Sequence, residues 1–549
     1  MLINVARIGE SQFLLRKARP FPQDRPMTQA RAAQAAEFLT RGFAALQQGR
    51  ASEAAAHCRA AIARAPDMPE AHFLVGLVAL DMNDAKTALR AFGSVTKLDP
   101  DHAAGWAQLA RLFMRMGQPA RAEKALREAE RAGADEAPVA DLIGVVSSLL
   151  GDQRAAKRWY ARAYAKDAER PEYAVNLATA CMFLGETADA RQILERLLAR
   201  NDSIAQAQWL YSSIVTADSA ERAEMLAARA RSADPHAAAF LNYAAGKEFE
   251  DCGEWERAFA AFDAGARAKR SVIHYDEAAE DRFFAALLEV FDEAWAARRA
   301  PGSPDPSPIF IVGQPRTGTT LIERIITSHS MAQSAGELQQ FGLSVRRLAG
   351  TGADRDAAAV RAWSRIPAKA LGDEYLRASA VMRGGAPRFV DKLPGNYLYV
   401  PLILAALPEA RIVHLTRDPM DSCFASFKQL FAEAYLHSYE QGETARHFAR
   451  YHRLMARWRE LFPGRFLDVS YEAVVRDVAG EAARLIAFLG LPWEDSCLRF
   501  HKQAAAVATA SAVQVREPAH TRSVGRWRRY GASLAPMRAA LEKAGIAVD

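Results

Sequence analysis

The sequence predicts an all-α solenoid of two-helix repeats, followed by an α/β domain whose parallel sheet is built around an anion. Three observations predict it. Alanine recurs every 34 residues through the first half of the chain. A proline- and serine-dense stretch, PGSPDPSP at Pro301–Pro308, divides the chain. Directly after it, IFIVGQPRTGTTLIERII at Ile309–Ile326 reads as a buried strand, a glycine turn and a helix. In that arrangement the backbone N–H groups of the turn and of the helix N-terminus converge on one spot, where an anion sits.

The repeat comes first. Ala54, Ala88, Ala122, Ala156 and Ala190 lie 34 residues apart. Twelve residues before each stands a small residue: Gly42, Gly76, Ala110, Gly144 and Ala178. Four residues after the later four stand Phe92, Leu126, Tyr160 and Leu194, with Cys58 in the first repeat; Pro66 and Pro100 end two repeats. Small residues let the helices of one hairpin approach, and the large residue is expected to fill the gap to the next hairpin. The pattern blurs between about Ser203 and His236 and returns at Gly246, Ala258 and Phe262. Six or seven repeats are expected over residues 29–270. They resemble the tetratricopeptide repeat (TPR), which implies a concave surface that binds a protein or peptide. The bland alternatives are packing on the second domain or a homodimer.

Residues 1–28 are expected to form a flexible arm. Residues 271–307 are expected to form a linker helix, about His274–Arg299, and the proline-rich linker. Met27 opens a cleaner helical segment than Met1, so the start stays open between the two. The chain has 549 residues and a formal net charge of +6. Such a mild excess fits an anionic ligand or acidic partner and does not call for nucleic acid. The five cysteines form no CxxC pair, which fits a reduced, cytoplasmic compartment. No apolar run reaches the roughly 18–20 residues of a membrane span, and the N-terminus makes a poor signal peptide.

Residues 308–549 form the second domain. Ile309–Val312 is the first strand, Gly313, Pro315 and Gly318 make the turn, and Thr319–Ser328 is a helix. Thr317, Thr319 and Thr320 add hydroxyl donors and Arg316 adds a positive charge. An ATP-binding loop of this spacing carries lysine where Thr319 stands, and its strands supply an aspartate for magnesium. The nearest candidate here, RIVHLTRD, has arginine before Asp418. A magnesium nucleotide is therefore disfavoured, and no metal is expected. The second strand, Ile412–Leu415, ends in Thr416, Arg417 and Asp418, at the carboxyl edge where ligands bind. A helix carrying Ser422 and Ser426 follows over Pro419–Phe431. His414, inside an apolar strand, reads as a core histidine.

PRTGTT at Pro315–Thr320, followed by TRDP at Thr416–Pro419, resembles the P-loop-like sulfotransferases that use 3′-phosphoadenosine 5′-phosphosulfate (PAPS). The likeness runs over about Pro308–Tyr530. It implies that Pro315, Arg316, Thr317, Gly318, Thr319 and Thr320 hold the 5′-phosphosulfate and that Arg417 contacts the 3′-phosphate. Within that family the domain is closer to protein-tyrosine sulfotransferases. GEL at Gly336–Leu338 resembles their catalytic-base segment and implies Glu337 as the base. VDKLPGN at Val390–Asn396 resembles their lysine segment, implying Lys392. SYE at Ser470–Glu472 implies Tyr471 as a nucleotide contact, and SAVQVREP at Ser511–Pro518 implies Ser511 as a transition-state donor. HTRSVGRW at His520–Trp527 implies Arg522, Gly525 and Arg526 at the nucleotide. One departure stands out: Ala425 occupies the usual serine position, so either Ser426 or Ser422 makes that contact or it is lost. The TPR array is a second departure, and the whole resembles bacterial TPR-containing sulfotransferases.

The resemblance implies a sulfuryl transfer from PAPS to an acceptor hydroxyl, foremost a protein or peptide tyrosine presented with the help of the TPR surface. By analogy with phosphoryl transfer, positioning and charge stabilisation do most of the work. Arg316 and the loop amides would hold the leaving phosphate, Lys392 the bridging oxygen, Ser511 the transferring group, and Glu337 would take the acceptor proton. A carbohydrate or small-phenol acceptor, and a catalytically inactive TPR scaffold, stay open beside it.

Overall fold

The computed structural model describes residues 26–352, 355–509 and 511–548. Most of the expected N-terminal arm, up to residue 25, lies outside them. The chain divides into two compact units, with the boundary between Ala180 and Cys181, inside the helix Pro171–Leu184.

The first unit is a run of helix pairs: Pro26–Gln47 with Ala51–Arg64, Pro69–Asp81 with Ala85–Leu98, Ala103–Arg115 with Pro119–Ala132, and Ala137–Leu149 with Gln153–Lys166. Local chemistry starts them. Pro69 and Pro119 occupy first-turn positions, where the missing N–H costs nothing. Asp84 and Asp152 cap two others by accepting from Thr87 N and Ala155 N at 3.0 and 2.8 Å. The recurring alanines Ala54, Ala88, Ala122 and Ala156 are wholly buried. A Cβ on Gly76 would lie 2.5 Å from the Phe92 ring, and one on Gly144 2.6 Å from the Tyr160 ring. The large residue therefore packs on the small residue of its own pair. This corrects the expectation that it fills the gap to the next hairpin: the glycine opens a slot one ring thick, and the ring facing it takes that slot.

The second unit opens with further helices, Thr187–Arg200, Ala205–Ile214, Glu221–Ala230, Pro235–Asp251 and Trp255–Arg270. The blurred stretch of the repeat corresponds to the two short, ten-residue helices. The last pair restores the packing, with a Gly246 Cβ position 2.6 Å from the Phe262 ring. The expected single helix over His274–Arg299 is two helices, Glu277–Val290 and Glu293–Ala297. Asp292 divides them by accepting from Trp295 N at 2.7 Å and starting the second. The proline-rich stretch is anchored, with Ser303 N donating to Ala406 O at 2.8 Å.

Five parallel strands follow: β1 (Pro308–Gly313), β2 (Ala332–Gly336), β3 (Arg388–Asp391), β4 (Arg411–Thr416) and β5 (Phe466–Ser470), in the order β2-β3-β1-β4-β5. β1 is buried along its whole length. Ile309 and Ile311 pack into one core layer, and Phe310 and Val312 into the other. Burial on both faces explains why β1 reads as an unbroken apolar run rather than an alternating one. The helix after β4 ends at Phe427, four residues before the expected Phe431. No helix among the described residues is long and apolar enough to cross a membrane.

Candidate active site

Every strand delivers one candidate side chain at its carboxyl end. Arg316 follows β1, Glu337 follows β2, Lys392 follows β3, Arg417 follows β4 and Tyr471 follows β5. Parallel strands aim all their carboxyl ends at one edge. A sheet whose order reverses beside β1 opens a crevice there, so residues far apart in the chain come together.

The loop after β1 needs unusual backbone. Gly313 and Gly318 have φ of +150° and +102°, and Arg316 itself has φ of +63°. A strained non-glycine residue persists where its surroundings over-determine it. A Cβ on Gly318 would stand 2.6 Å from Tyr471 Cδ2, so only glycine lets the loop lie against that ring. The Thr317 hydroxyl donates to Gln314 O at 2.8 Å and pins the turn. Thr319 and Thr320 are buried at the start of helix Thr319–Thr327, whose N-terminus has no side-chain cap. Pro315 is buried within the turn.

The positive charge gathers against this loop. Arg316 donates to Ser511 Oγ at 2.6 Å and to Gln514 Oε1 at 2.9 Å, both neutral acceptors. The loop bearing Ser511 is held at its base by Phe183 O, which accepts from Val507 N at 2.8 Å and Arg516 Nη2 at 3.1 Å. Arg417 donates to Arg316 O at 2.8 Å and Ser523 O at 2.6 Å, and lies 4.7 Å over the Tyr471 ring. Burial, and then the neighbouring Arg417, push the Arg316 guanidinium down to about 10. The buried Asp421 carboxylate lies 3.9 Å from Arg417, so the two guanidiniums have one anion beside them and their surplus charge favours a second. Buried polar atoms at the same place have no hydrogen-bond partner within the described chain: Arg417 Nε, Ser422 Oγ and Gln314 Nε2. Ser426 Oγ is turned to Ser422 O at 3.1 Å and Pro315 O at 3.4 Å. Of the two serines, Ser422 therefore keeps the uncommitted hydroxyl.

The segment 520–530 closes the same region. The Asp421 carboxylate accepts from Gly525 N at 2.6 Å and Trp527 N at 3.1 Å. Arg526 is joined to Glu250, which also accepts from Lys428 at 2.6 Å and from Tyr530 at 2.5 Å. Burial, opposed by Glu250 and assisted by Arg526 and Arg316, pushes the Lys428 ammonium down to about 8. Arg522 is not brought into this group: its side chain is 67% exposed and pairs with Glu517 at 2.5 Å.

Lys392 is almost completely buried and bonds Glu337 Oε1. Burial pushes the Glu337 carboxyl up, but the Lys392 ammonium outweighs it and holds the group below the usual carboxylate range. Burial likewise pushes Lys392 down, and Glu337 together with Glu323 more than restores it. Glu323, which accepts from Ser334 Oγ at 2.6 Å, is raised by its burial. At neutral pH the pair is thus an ammonium bound to an ionised carboxylate. That carboxylate keeps a partly exposed side chain, as a proton acceptor for an incoming group requires.

His414 is a core histidine, as expected. It is buried and bonds Asp468 and Tyr451, each at 2.5 Å. Sequence reasoning missed Glu323, Asp421, Lys428, Gln514 and Glu250. Four left a local trace: Glu323 is an acid inside the apolar run LIERII, Asp421 lies one turn after Arg417, Lys428 lies three turns after it, and Gln514 lies inside SAVQVREP. Glu250 left none.

Residues 308–495 match the model of the sulfotransferase family, and residues 79–145 match a tetratricopeptide repeat model. An uncharacterized protein of Aquifex aeolicus (strain VF5) is 29% identical over 364 residues, which cover 64% of this chain and 48% of that protein. The match thus spans about half the length of that relative. A putative protein-tyrosine sulfotransferase of Caenorhabditis briggsae is 24% identical over 232 residues, 40% of this chain and 80% of that protein. Among solved structures, the sulfotransferase domain of the Synechococcus PCC 7002 olefin synthase aligns at 18% identity and a TM-score of 0.34, over 45% of this chain and 98% of that one. A thermophilic TPR protein of Thermus thermophilus aligns at 21% identity and a TM-score of 0.29, over 33% of this chain and 98% of that one. Residues 308–495 are thus similar to a sulfotransferase domain, and the helical stretch before them is similar to tetratricopeptide repeats.

Proposed function

We propose that the second domain moves a sulfuryl group from PAPS to an acceptor hydroxyl, foremost a tyrosine of a protein or peptide. The observation that carries this reading is the convergence of an under-neutralised guanidinium pair, Arg316 and Arg417, with a buried Lys392–Glu337 ion pair at one sheet edge. The residues fit the donor. The loop Pro315–Thr320 and the uncapped helix N-terminus suit its phosphosulfate end, and the loose polar atoms Arg417 Nε and Ser422 Oγ suit its second phosphate. Tyr471, Gly525 and Arg526 line the same region, while Arg522 would have to leave Glu517 to join them.

The chemistry then follows from charge. The acceptor oxygen forms a bond to sulfur as the bond from sulfur to the bridging phosphate oxygen breaks, and the acceptor proton goes to Glu337. Glu337 is ionised at neutral pH because Lys392 outweighs its burial, so it can take that proton. A phenol, with a pKa of about 10, gives up a proton more readily than an aliphatic alcohol, which favours tyrosine. Lys392 faces the negative charge left on the phosphate side, and Arg316 with Ser511 faces the transferring oxygens. The likeness to a putative protein-tyrosine sulfotransferase supports the same acceptor class.

Calorimetry with 3′-phosphoadenosine 5′-phosphate (PAP), without magnesium, tests the donor. Micromolar binding that is lost in Arg417→Ala is expected; absence of binding at high protein concentration overturns the reading. Transfer of radiolabelled sulfate from PAPS to tyrosine peptides, simple phenols and saccharides then ranks the acceptors. The repeats are read as the surface that presents the acceptor protein.

A further inference from the structure

Glu250 lies on helix Pro235–Asp251, in the helical region, far along the chain from the groups it binds. One of its oxygens, Oε1, accepts from Lys428 Nζ at 2.6 Å, Arg526 Nε at 3.0 Å and Tyr530 OH at 2.5 Å. Its side chain is 8% exposed. Trp255, on the next helix, meets the Tyr530 ring edge-on at 5.7 Å and lies 4.9 Å from the Arg529 guanidinium. The last helix pair of the helical region is thus seated on the segment Arg526–Tyr530.

We propose that Glu250 is a positioning residue of the anion site, its carboxylate holding Lys428 and Arg526 in the cation cluster that contains Arg316 and Arg417. The inference rests on the donor reading above and assigns the terminal helix pair a part in it. The physical argument is charge balance. Arg316, Arg417, Lys428 and Arg526 are four cations in one partly buried region, against two buried carboxylates: Asp421, 3.9 Å from Arg417, and Glu250. Lys428 faces Glu250, Arg526 and Arg316 and lies 5.5 Å over the Phe424 ring, and Glu250 is the anion among them. An ammonium in such surroundings gives up its proton unless a carboxylate holds it. Glu250 keeps Lys428 charged at neutral pH while leaving the cluster a surplus of positive charge for a phosphate group. Burial pushes Glu250 up, and Lys428 and Arg526 outweigh it, so the carboxylate is itself ionised there.

The test is a pH series of PAP binding on the full chain. Wild-type affinity is expected to hold to about pH 8 and then fall as Lys428 loses its proton. In Glu250→Gln that fall begins about one pH unit lower. With the midpoint moved from about 8 to about 7, the protonated fraction at pH 8 falls from about a half to about a tenth, so affinity there drops about fivefold, and at pH 6.5 by less than about twofold. The donor KM rises with little change in kcat, and Glu250→Asp restores much of the binding. Equal loss at both pH values overturns the inference. If Glu250→Gln does not fold, Lys428→Arg replaces it: a guanidinium does not titrate here, so the alkaline fall disappears, and a retained fall overturns the proposal. Inorganic pyrophosphate in the same series separates the two readings. Pyrophosphate binding with the alkaline fall but no PAP binding overturns the donor assignment alone. PAP binding without the fall overturns the role of Glu250 and Lys428 alone.

Discussion

Replacing Lys392 with methionine tests whether the buried ion pair is organised as the geometry implies. Lys392 is 1% exposed and faces two carboxylates, Glu337 in direct contact and Glu323 at longer range. Removing one partner of a fully buried pair typically costs about 3–5 kcal/mol. Glu337 keeps 30% of its side-chain exposure, and either carboxylate can take up a proton, so the loss at pH 7.5 should be roughly 2–3 kcal/mol. The reciprocal change, Glu337→Gln, should be milder, roughly 1 kcal/mol, because Glu323 can ionise in its place beside Lys392. The double variant should recover part of the sum, with a coupling of roughly 1–2 kcal/mol. The sign with pH follows. In the wild type Glu337 sits below its ordinary pKa, so its contribution is present above the unfolded value and is lost as pH falls through the folded one. Without Lys392, burial raises Glu337 and the penalty grows as pH rises, so the gap between wild type and Lys392→Met should widen from pH 5 to 7.5. Urea unfolding, with hydrogen exchange read on peptides covering Arg388–Asn396, measures it. A Glu337→Gln loss as large as that of Lys392→Met, or a gap independent of pH, refutes the reasoning.

Three further outcomes are expected. Gly318→Ala forces a left-handed residue and a Cβ 2.6 Å from Tyr471; it should weaken PAP binding about tenfold and lower stability by roughly 1–2 kcal/mol, read by calorimetry and thermal melting. Gly76→Ala overpacks the slot filled by Phe92 and should destabilise the first unit by roughly 1–3 kcal/mol, while calorimetry finds PAP affinity unchanged. Asp391, wholly buried and accepting from Tyr375 OH at 2.9 Å, is pushed by burial up to about 8. A raised carboxyl contributes stability that is full below its unfolded pKa and lost as pH climbs toward 8. The fall in melting temperature between pH 5 and 8 should therefore be shallower in Asp391→Asn than in the wild type.

Much of this was legible in the sequence, for identifiable reasons. Period and residue size are local properties, so Ala88 and Gly76 announced the helix pairs, and IFIVGQPRTGTT announced strand, turn and helix. What the sequence misjudged was direction. Phe92 turns inward onto Gly76, and the Thr317 hydroxyl goes to Gln314 O rather than outward. Spacing names a face and does not say which neighbour shares it. Arg522 shows the same limit, since motif likeness placed it at the nucleotide and the structure pairs it with Glu517.

By itself the sequence determined the two architectures, the glycine turn between strand and helix and the strand-end arginine, because each is encoded within a few consecutive residues. Only the tertiary structure decided which distant charges meet: Lys392 with Glu337 and Glu323, and Lys428 and Arg526 with Glu250. The reason is physical. Whether a buried charge is tolerated, and whether it holds its proton, depends on the sum of neighbouring charges and lost water. That sum is set by packing across a sheet edge and exists nowhere along the chain.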